Sequence, residues 1–595
     1  MAIEELPIFC YYDVQRFQQF GAMDCANWYG IRVETAKKKQ ALYPCMGRKH
    51  INFLGKNELI YTEEPRKIFK SINYFYVVVG ASVFQYDAFY NEVPLGTISA
   101  TGNIWTAFLT VVNKTYVMLT DEKNIYVITE NPGGNPPSTM DVVTDPNAPG
   151  GSASDGLPLY VAAFGNRFVV SLQNAPTFYL SRTNLFSGSG TLNNCFTQIN
   201  SVSPLFAQAS GNIKQFAVLH AQLYIFTDYT TDIWANIVTQ ITVNGVTAEF
   251  PWKLNSSYNW DYGIADDKSL DVDFGRMVWL AKNANGLVSF MSSDGQQPQP
   301  ISSQAINVLL QKTANIGGLT PFVEATSNGF LYQYEDTIFY RVSAGVYHGD
   351  QILDFESTSN AIEYNFETQT WHRAIELNGE RNRIRDHVFF NNLHLVTVIG
   401  DPAIYAMAGD IYYNEVRNTT ADAQATNAFL KYPMRYELVT PHIFLPDYAE
   451  FADRYVEIDF VFGDKTFYRN QAPFNNTVFI AAETSTDNSP VLMIEEDDTT
   501  FIIKEGTNTP QFDDNHYWAL FKPHIELYYS DDGGITFTSA DLREFSPLGH
   551  YRWRMRWYEL GASRNRCYKL VCVSSAPIII LGAVRDTKRL SGGAN

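Results

Sequence analysis

Seven segments of the chain repeat one pattern, and this repeat constrains the fold more than any other feature of the sequence. Each segment has two or more apolar β-forming residues, a short polar turn, and an aromatic residue ten to thirteen positions downstream. The segments are 76–78 with Tyr86, 116–118 with Tyr126, 168–170 with Tyr179, 223–225 with Trp234, 277–279 with Phe290, 330–332 with Tyr340 and 393–395 with Tyr405. A single hairpin cannot bury its apolar face alone, so the repeat predicts hairpins that stack against one another.

The spacing of these segments favours a β-propeller. Successive segments begin 40 to 63 residues apart, close to the period of about 40–50 residues per propeller blade, with inserted loops supplying the excess. We therefore expect an all-β chain with six to eight blades. An array of β-sandwich domains is the competing interpretation, but it would need clear linkers. Between residues 70 and 410 only 131–156 is rich in Pro, Gly and Ser, and we interpret this stretch as a loop inserted between two blades.

The rhythm changes after about residue 410, which divides the chain into three parts. Residues 1–70 are predicted to be an extended segment leading into the propeller, 71–410 the blades, and 411–595 a β-rich elaboration together with the strands that finish the propeller. Within the last part we predict strands at 454–462, 476–482, 524–529, 551–558 and 567–573, and an acidic insertion at 484–516. The best helix candidate of the whole chain is 303–312.

Length, charge and hydropathy exclude several classes of protein. The chain has 595 residues, 45% of them hydrophobic, and a formal net charge of −19. Such a composition is not that of a disordered chain, and no apolar run approaches the roughly 18–20 residues that span a bilayer. No secretory signal is apparent, so we expect synthesis in a cytoplasm and no membrane insertion. The acidity argues against gripping nucleic acid through its phosphates, but not against a surface along which nucleic acid passes.

Motifs of catalysis and metal binding are missing from the sequence. The six cysteines include no CxxC pair, so we expect buried free thiols rather than a disulfide framework or a zinc site. The adjacent carboxylates Asp266 and Asp267 would point to opposite faces of a strand, and His387 and His394 are seven residues apart. We predict no catalytic residue, no metal and no cofactor, and therefore a protein that is not an enzyme.

The sharpest local motif fits the Asp-box pattern S-x-D-x-G-x-T-F. It consists of Ser530, Asp532, Gly534, Thr536 and Phe537. The Ser and Asp side chains of such a motif bind local backbone groups, Gly takes a left-handed conformation, and the aromatic ring packs beneath the turn. Similarity to the Asp-box implies a structural hairpin at a blade edge, as in sialidases and related propellers, without a catalytic role.

Basic and apolar residues alternate near the carboxyl-terminal end. Arg552, Arg554 and Arg556 alternate with Trp553, Met555 and Trp557. On a strand this places three guanidinium groups on one face and three apolar side chains on the other. The simpler interpretation is a solvated or salt-bridged face. The functional one is a subunit interface, because a neighbouring copy of so acidic a chain would supply carboxylates.

Taken together, the chain resembles the tail nozzle proteins of short-tailed double-stranded DNA phages (podoviruses), also called packaged-DNA stabilisation or tail-accessory proteins. The first part of the resemblance lies in Leu6-Pro7-Ile8, Asn27-Trp28-Tyr29 and 41–47. The second lies in 213–234, 262–265 and 300–302, and the third in 529–533, Arg556-Trp557 and Arg564-Asn565-Arg566.

The resemblance implies a virion protein whose propeller-based subunits form a ring, commonly a hexamer, below the portal and adaptor rings. Such a ring extends the DNA channel, retains the packaged genome, guides its ejection and contacts plug or fibre proteins. Six acidic copies would repel phosphates and let double-stranded DNA slide without sequence-specific binding. Two other functions stay open: a glycan-binding or sialidase-like propeller of a virion, suggested by the Asp-box and the aromatic content, and a monomeric propeller that serves as an interaction hub.

Overall fold

The fold is taken from a computed structural model of the chain. It describes residues 2–14, 22–32, 40–51, 61, 63–111, 114–131, 138–150, 156–183, 194–197, 205–243, 246–255, 259–312, 322–325, 328–347, 360–417, 429–445, 447–462, 492–497, 500–504, 523–545 and 552–590. The amino-terminal strands are β1 (Ala2–Leu6), β2 (Asp13–Val14), β3 (Ala22–Ala26), β4 (Trp28–Arg32), β5 (Gln40–Pro44) and β6 (Gly47–His50).

The next strands form four successive sheets. Blade 1 contains β7 (Pro65–Lys70), β8 (Phe75–Val79), β9 (Ser82–Tyr86) and β10 (Glu92–Thr97); blade 2 contains β11 (Trp105–Val111), β12 (Lys114–Thr120), β13 (Ile125–Thr129) and β14 (Thr139–Val142). Blade 3 contains β15 (Pro158–Phe164), β16 (Arg167–Leu172), β17 (Thr177–Leu180) and β18 (Leu205–Gln208). Blade 4 contains β19 (Ile213–Leu219), β20 (Gln222–Thr227), β21 (Thr231–Ala235) and, after the hairpin β22 (Thr239–Val243) and β23 (Val246–Phe250), β24 (Lys253–Leu254).

Three further blades complete the ring. In blade 5 the inner strand is split into β25 (Tyr262–Ile264) and β26 (Asp271–Asp273) around a 3-10 turn (Asp267–Ser269), followed by β27 (Arg276–Asn283), β28 (Val288–Ser293) and β29 (Gln299–Pro300). After α1 (Gln304–Lys312) and β30 (Phe322–Ala325), blade 6 contains β31 (Phe330–Tyr334), β32 (Thr337–Tyr347), β33 (Asn360–Asn365) and β34 (Thr370–Ala374). Blade 7 begins with β35 (Ile384–Phe390), β36 (Leu393–Val398) and β37 (Ile404–Ala408).

The remaining strands follow the propeller. They are β38 (Tyr413–Arg417), β39 (Phe429–Val439), β40 (Phe451–Phe462), β41 (Leu492–Asp497), β42 (Thr500–Lys504), β43 (His524–Ser530), β44 (Thr538–Glu544), β45 (Arg552–Tyr558), β46 (Ala562–Ser563), β47 (Cys567–Ser574) and β48 (Ile578–Arg589). Four of the five strands predicted in this region are thus present, and the one at 476–482 lies outside the described residues.

The described residues form a seven-bladed β-propeller, which confirms the predicted fold class. The outer strand of blade 7 is β6, which pairs antiparallel with β37 in the register Ala408 to Gly47. The sequence predicted that strands beyond residue 410 close the propeller. This was wrong, because the closing strand, β6, comes from the amino-terminal segment. Closure by a strand distant in sequence ties the two ends of the ring together.

The repeated segments build the interfaces between blades. In six of the seven, the apolar residues lie on the second strand of a blade and the paired aromatic on the third. On β8, Tyr76 and Val78 pack toward blade 2, whereas Phe75 and Val77 pack toward blade 7. A middle strand is therefore buried on both faces, which explains its continuous apolar run.

A β-sandwich lies beside the propeller. One of its sheets contains β1, β4, β5, β48, β40 and β45, and the other contains β3, β39, β47, β43 and β44. Their shared core is continuous with apolar side chains of blades 6 and 7. Strands β1 to β5 therefore belong to the sandwich, which corrects the expectation that residues 1–70 only lead into the propeller.

Two predicted loops contain strands. Segment 131–156 includes β14, the outer strand of blade 2, so it is not purely a loop between blades; residues 132–137 and 151–155 lie outside the described part. Within 484–516 the structure describes the hairpin of β41 and β42. The predicted helix is present as α1, and among the described residues no helix is long and apolar enough to cross a bilayer.

The cysteines depart from the prediction in one respect. Cys10 and Cys25 form a disulfide, with 5.2 Å between their Cα atoms. The other four cysteines are free and buried, as expected. The pairing of β2 with β3 folds the chain between Cys10 and Cys25 back on itself, which a spacing of fifteen residues does not reveal.

Candidate functional site

The predicted Asp-box forms the turn between β43 and β44. Ser530 Oγ donates to Asp532 Oδ1 over 2.7 Å and accepts from the amide of Gly534 at 2.8 Å. The Asp532 carboxylate accepts from the amides of Ile535 and Thr536 at 3.0 and 2.9 Å, and from the Thr536 hydroxyl at 2.5 Å. These hydrogen bonds, led by those from Thr536, hold the pKa of Asp532 well below its usual value. The motif is a structural turn with an ionised carboxylate at its centre.

The position of this turn differs from the expectation. Its strand β43 pairs with β44 and β47 of the sandwich, so the hairpin does not lie at a blade edge. Gly534 has the left-handed φ of +84° that the motif requires. Phe537 packs against Val439 and Cys567 beneath the hairpin. The geometry of the motif is thus as predicted, while its place is in the second module.

The three arginines of β45 lie on the exposed face of an edge strand. Arg552 makes two hydrogen bonds to Asp459, at 3.1 and 2.6 Å, and Arg556 donates to Glu457. Arg554 is only loosely associated with Glu457, at 4.0 Å. The carboxylates that the sequence analysis sought in a neighbouring subunit are therefore supplied by β40 of the same chain, as the simpler interpretation predicted.

A cavity of about 170 Å³ lies at one mouth of the propeller, where the inner strands begin. Its wall includes loop 102–104 and six side chains from five blades: Arg66, Lys67, Trp105, Lys268, Asn328 and Arg385. Five of these six lie within the first three residues of an inner strand or shortly before it, and Lys268 lies in the 3-10 turn that splits the inner strand of blade 5. Because the inner strands of a propeller run in one direction about the axis, these positions meet at the same mouth. We call this cavity the axial pocket.

The wall of the axial pocket carries four cationic side chains and no acidic one. Lys67 pairs with Asp386 at 3.2 Å, and Arg385 pairs with Glu64 at 2.6 Å, so both carboxylates lie behind the wall. The chain as a whole has a net charge of −19, so the four cationic side chains of this wall are opposite in sign to the molecule as a whole. The arrangement can attract an anion and exclude a cation.

Arg66 is held in place by backbone carbonyl groups. Its terminal nitrogens donate to the oxygens of Gly80, Ser99 and Gly102 at 2.7, 2.6 and 2.5 Å. Burial lowers the pKa of Arg66, although the nearby Asp121 opposes this effect. The guanidinium thus contributes positive charge to the pocket while its two terminal nitrogens are already engaged.

Hydrogen bonds across the propeller axis fix the rest of the mouth. The Tyr160 hydroxyl of blade 3 donates to Asp267 Oδ2 at 2.7 Å, and the Gln215 side chain of blade 4 donates to the Asp267 carbonyl at 3.4 Å. The Trp105 ring contacts the Tyr160 ring edge-on at 5.0 Å. The Trp105 Nε1–H is buried and has no acceptor in the described part of the chain.

Sequence reasoning missed the axial pocket. It considered Asp266 and Asp267 only as adjacent carboxylates on a strand. In the structure Asp266 caps the 3-10 turn by accepting from the Lys268 amide at 2.9 Å, and Asp267 accepts from Tyr160. The available signal was a basic residue near the start of several inner strands, such as Arg66 and Arg385. That signal has meaning only when the blades have been delimited.

A second polar cluster is buried between blade 6 and the amino-terminal segment. Cys45 Sγ lies 3.4 Å from His372 Nε2, which lies 2.8 Å from Glu363 Oε1. Among the described residues these three could offer ligands to a metal ion. Burial raises the pKa of the Cys45 thiol well above its usual value, so without a metal ion the thiol is protonated. The cation of Arg341 lies 3.6 Å from Glu363, so the cluster is better described as a hydrogen-bonded ion pair.

Comparisons with known proteins add little to this description. No protein-family model matches the chain, and no curated protein matches it. Among solved structures, the WD40 domain of Neurospora crassa Pan2 aligns with 63% of this chain and 97% of its own, at 8% identity and a TM-score of 0.32. The N-terminal domain of Nup159 (10% identity, 64% and 97% coverage, TM-score 0.29) and the computationally designed Ika8 protein (10%, 58% and 96%, 0.30) are similar to the same degree. The propeller assignment rests on the strand order itself.

Proposed function

We propose that this chain is a structural virion protein of a short-tailed phage, forming the tail nozzle ring below the adaptor. In this role it extends the DNA channel, retains the packaged genome and guides its ejection, without acting as an enzyme. Its partners are further copies of itself, as a hexamer, the portal-adaptor ring, and plug or fibre proteins. The proposal starts from the sequence resemblance described above.

One observation carries the proposal: Asn27 and Trp28, from the first part of the resemblance, lie where the propeller joins the sandwich. The Asn27 amide donates to the carbonyls of Ile375, after blade 6, and Arg435, on β39 of the sandwich, at 2.8 and 2.6 Å. Trp28 is fully buried and donates to the Ile578 carbonyl at 2.9 Å. The first part of the resemblance thus lies at the joint between the two modules, where it contacts both.

A rigid joint of this kind suits a structural subunit that lines a channel more than an enzyme with a reactive pocket. Cys45 N donates to the Asn27 carbonyl at 2.8 Å, and Gly47 begins the strand that closes blade 7. The same short segment therefore fixes both modules relative to each other. A subunit that transmits force during genome ejection needs such coupling.

The charge of the chain supports the proposed passage of DNA. With 63 acidic and 44 basic residues, six copies would surround a channel with strong negative potential, which repels phosphates and disfavours sticking. A ring structure whose DNA-facing wall is dominated by Lys and Arg would contradict this part of the proposal.

Native mass spectrometry tests the assembly directly. The purified full chain is mixed with the portal-adaptor ring of its phage, and we expect a closed oligomer that binds the adaptor. A monomer with no affinity for tail components would overturn the proposal and favour the interaction hub.

The arginine face of β45 stays a predicted subunit interface. Arg554 is the arginine least committed to the chain's own carboxylates, so Arg554→Glu should weaken ring formation while the fold is kept. Arg543→Glu is the matched control, because Arg543 lies on the neighbouring edge strand β44 and pairs with Asp541 at 2.8 Å. Equal assembly of both variants would remove the interface from this face.

The axial pocket favours a second candidate, a propeller that binds acidic glycans. Its four cations could receive a sugar carboxylate, but its wall holds no carboxylate for acid or base chemistry. Turnover of sialosides or of bacterial surface polysaccharide by the purified protein would support this candidate, and inertness would leave the structural role.

A further inference from the structure

We propose that the axial pocket is a binding site for a phosphate-type oxyanion. This goes beyond the nozzle function, because that function assigns no ligand to the propeller of a single subunit. Four cationic side chains, those of Arg66, Lys67, Lys268 and Arg385, line one cavity whose wall has no carboxylate.

The cavity has the size and the polarity for a small anion. Its volume of about 170 Å³ exceeds several times the share of about 30 Å³ that one water molecule takes in the liquid. Asn103 and Asn328 add amide groups to the wall. Trp105 adds an aromatic ring to the wall. An anion with several oxygens supplies acceptors for the amide and cationic groups of this wall.

The arrangement of donors favours a tetrahedral oxyanion over a planar carboxylate. Bidentate recognition of a carboxylate or of a phosphate uses the parallel donors of one guanidinium. Here both terminal nitrogens of Arg66 are bound to backbone oxygens, and NH1 of Arg385 lies 2.6 Å from Glu64 and donates to the Pro65 carbonyl at 3.2 Å. The ammonium groups of Lys67 and Lys268 are compact charges from different blades, which suits oxygens that point in several directions.

The pocket would also join blades. Its cations come from blades 1, 5 and 7, and Trp105 and Asn328 come from blades 2 and 6. A bound oxyanion would therefore contact several blades at once. We expect phosphate to raise the thermal stability of the full chain, since a ligand that binds only the folded state shifts the unfolding equilibrium.

Isothermal titration calorimetry with inorganic phosphate tests the site, using the full chain at low ionic strength and concentrations up to about 10 mM. We expect saturable binding of one phosphate per chain, accompanied by a rise in the melting temperature. Lys268→Gln should weaken binding at least tenfold, which is the effect of losing one charge-assisted hydrogen bond. Lys588→Gln, which removes an exposed lysine of β48 in the sandwich, should leave the affinity unchanged.

Each other outcome would count against the proposal. Absence of saturable binding, or equal loss in Lys268→Gln and Lys588→Gln, would overturn the site. Acetate or N-acetylneuraminate binding as tightly as phosphate would overturn the preference for a tetrahedral anion. If a short DNA duplex bound while inorganic phosphate did not, the source would be a nucleic acid backbone, and the small-anion site would be wrong. Ring assembly with the adaptor is measured separately, so failure here leaves the nozzle function untouched.

Discussion

Asp531 holds the buried guanidinium of Arg566 through two hydrogen bonds, at 2.7 and 3.1 Å. Asp531 lies within the Asp-box turn, at a position that the motif leaves variable, and Arg566 comes just before β47. The Arg566 side chain is fully buried and stacks at 4.9 Å over the ring of Tyr529. Its other carboxylate partner, Asp453 on β40, lies 3.8 Å away. The turn thus connects both sheets of the sandwich through one cation.

Replacing Asp531 by Asn should destabilise the sandwich. The substitution leaves the buried Arg566 with the more distant Asp453 as its carboxylate partner and with the Gly561 carbonyl at 3.4 Å. We expect a loss of about 1–3 kcal/mol in the free energy of unfolding. This is less than for a fully buried pair, because 42% of the Asp531 side chain is exposed. Asp541→Asn, on the exposed face of β44, is the control and should cost under about 0.5 kcal/mol. Denaturant titration of both variants measures the difference, and equal midpoints would contradict the prediction.

The propeller could be predicted from the sequence because its middle strands are buried on both faces. Such strands produce apolar runs at a regular spacing, and the turns between them are polar. The sixth segment marks the inner strand β31 instead of the second strand, because Phe330 and Tyr332 pack into the sandwich core while Leu331 packs toward blade 5. An inner strand with two buried faces cannot be distinguished from a middle strand by its pattern.

Replacing Asp532 by Ala should open the Asp-box turn without unfolding the sandwich. The carboxylate accepts the amides of Ile535 and Thr536 and the hydroxyls of Ser530 and Thr536, so its removal leaves these donors to solvent. We expect faster amide hydrogen exchange at 534–536 and little change in β47. Because the folded pKa of Asp532 is lowered, this stabilisation is present above the unfolded pKa of about 3.9 and is lost as the pH falls further. Exchange at 534–536 that is the same in both proteins would refute the assigned role.

The closing strand and the axial pocket could not be predicted, for one common reason. Gly47 pairs with Ala408, and Arg66 shares a cavity with Arg385 and Lys268. These contacts join residues more than two hundred positions apart, and no local pattern specifies which distant strand a short edge segment will pair with. The residues of the pocket also come from strand starts, a loop and a 3-10 turn, so they carry no periodicity.

Acid should destabilise the propeller through a pair of histidines in blade 7. His387 Nε2 and His394 Nδ1 are 3.0 Å apart on β35 and β36. Burial lowers the pKa of both, and that of His387 is lowered further by His394, Lys70 and Arg341. The unfolded chain therefore takes up protons that the folded chain refuses as the pH falls below about 6.5, so stability should fall by up to about 1.4 kcal/mol per pH unit for each group.

Denaturant titrations between about pH 7 and pH 5 measure this slope. His394→Phe should make it shallower, because one of the two titrating groups and its repulsion are removed. His220→Asn is the control, since His220 is exposed in a turn of blade 4 and has a φ of +48° that Asn tolerates. A slope that His394→Phe leaves unchanged would show that other groups cause the acid sensitivity.

Replacing Gly47 by Ala should weaken the closure of the propeller. A Cβ atom at this position would lie 2.3 Å from the carbonyl oxygen of Tyr413 and 2.8 Å from that of Ile411, and backbone atoms cannot move aside as a flexible side chain can. We expect a loss of about 1–3 kcal/mol, with faster hydrogen exchange in β6 and β37. Gly211→Ala is the matched control, because its Cβ would meet only the Thr227 side chain at 3.4 Å or more. Closure by β6 predicts a lower melting temperature and local opening for the first variant alone. If both variants melt together and β6 stays protected, the ring is held by the remaining blade contacts and does not depend on the amino-terminal strand.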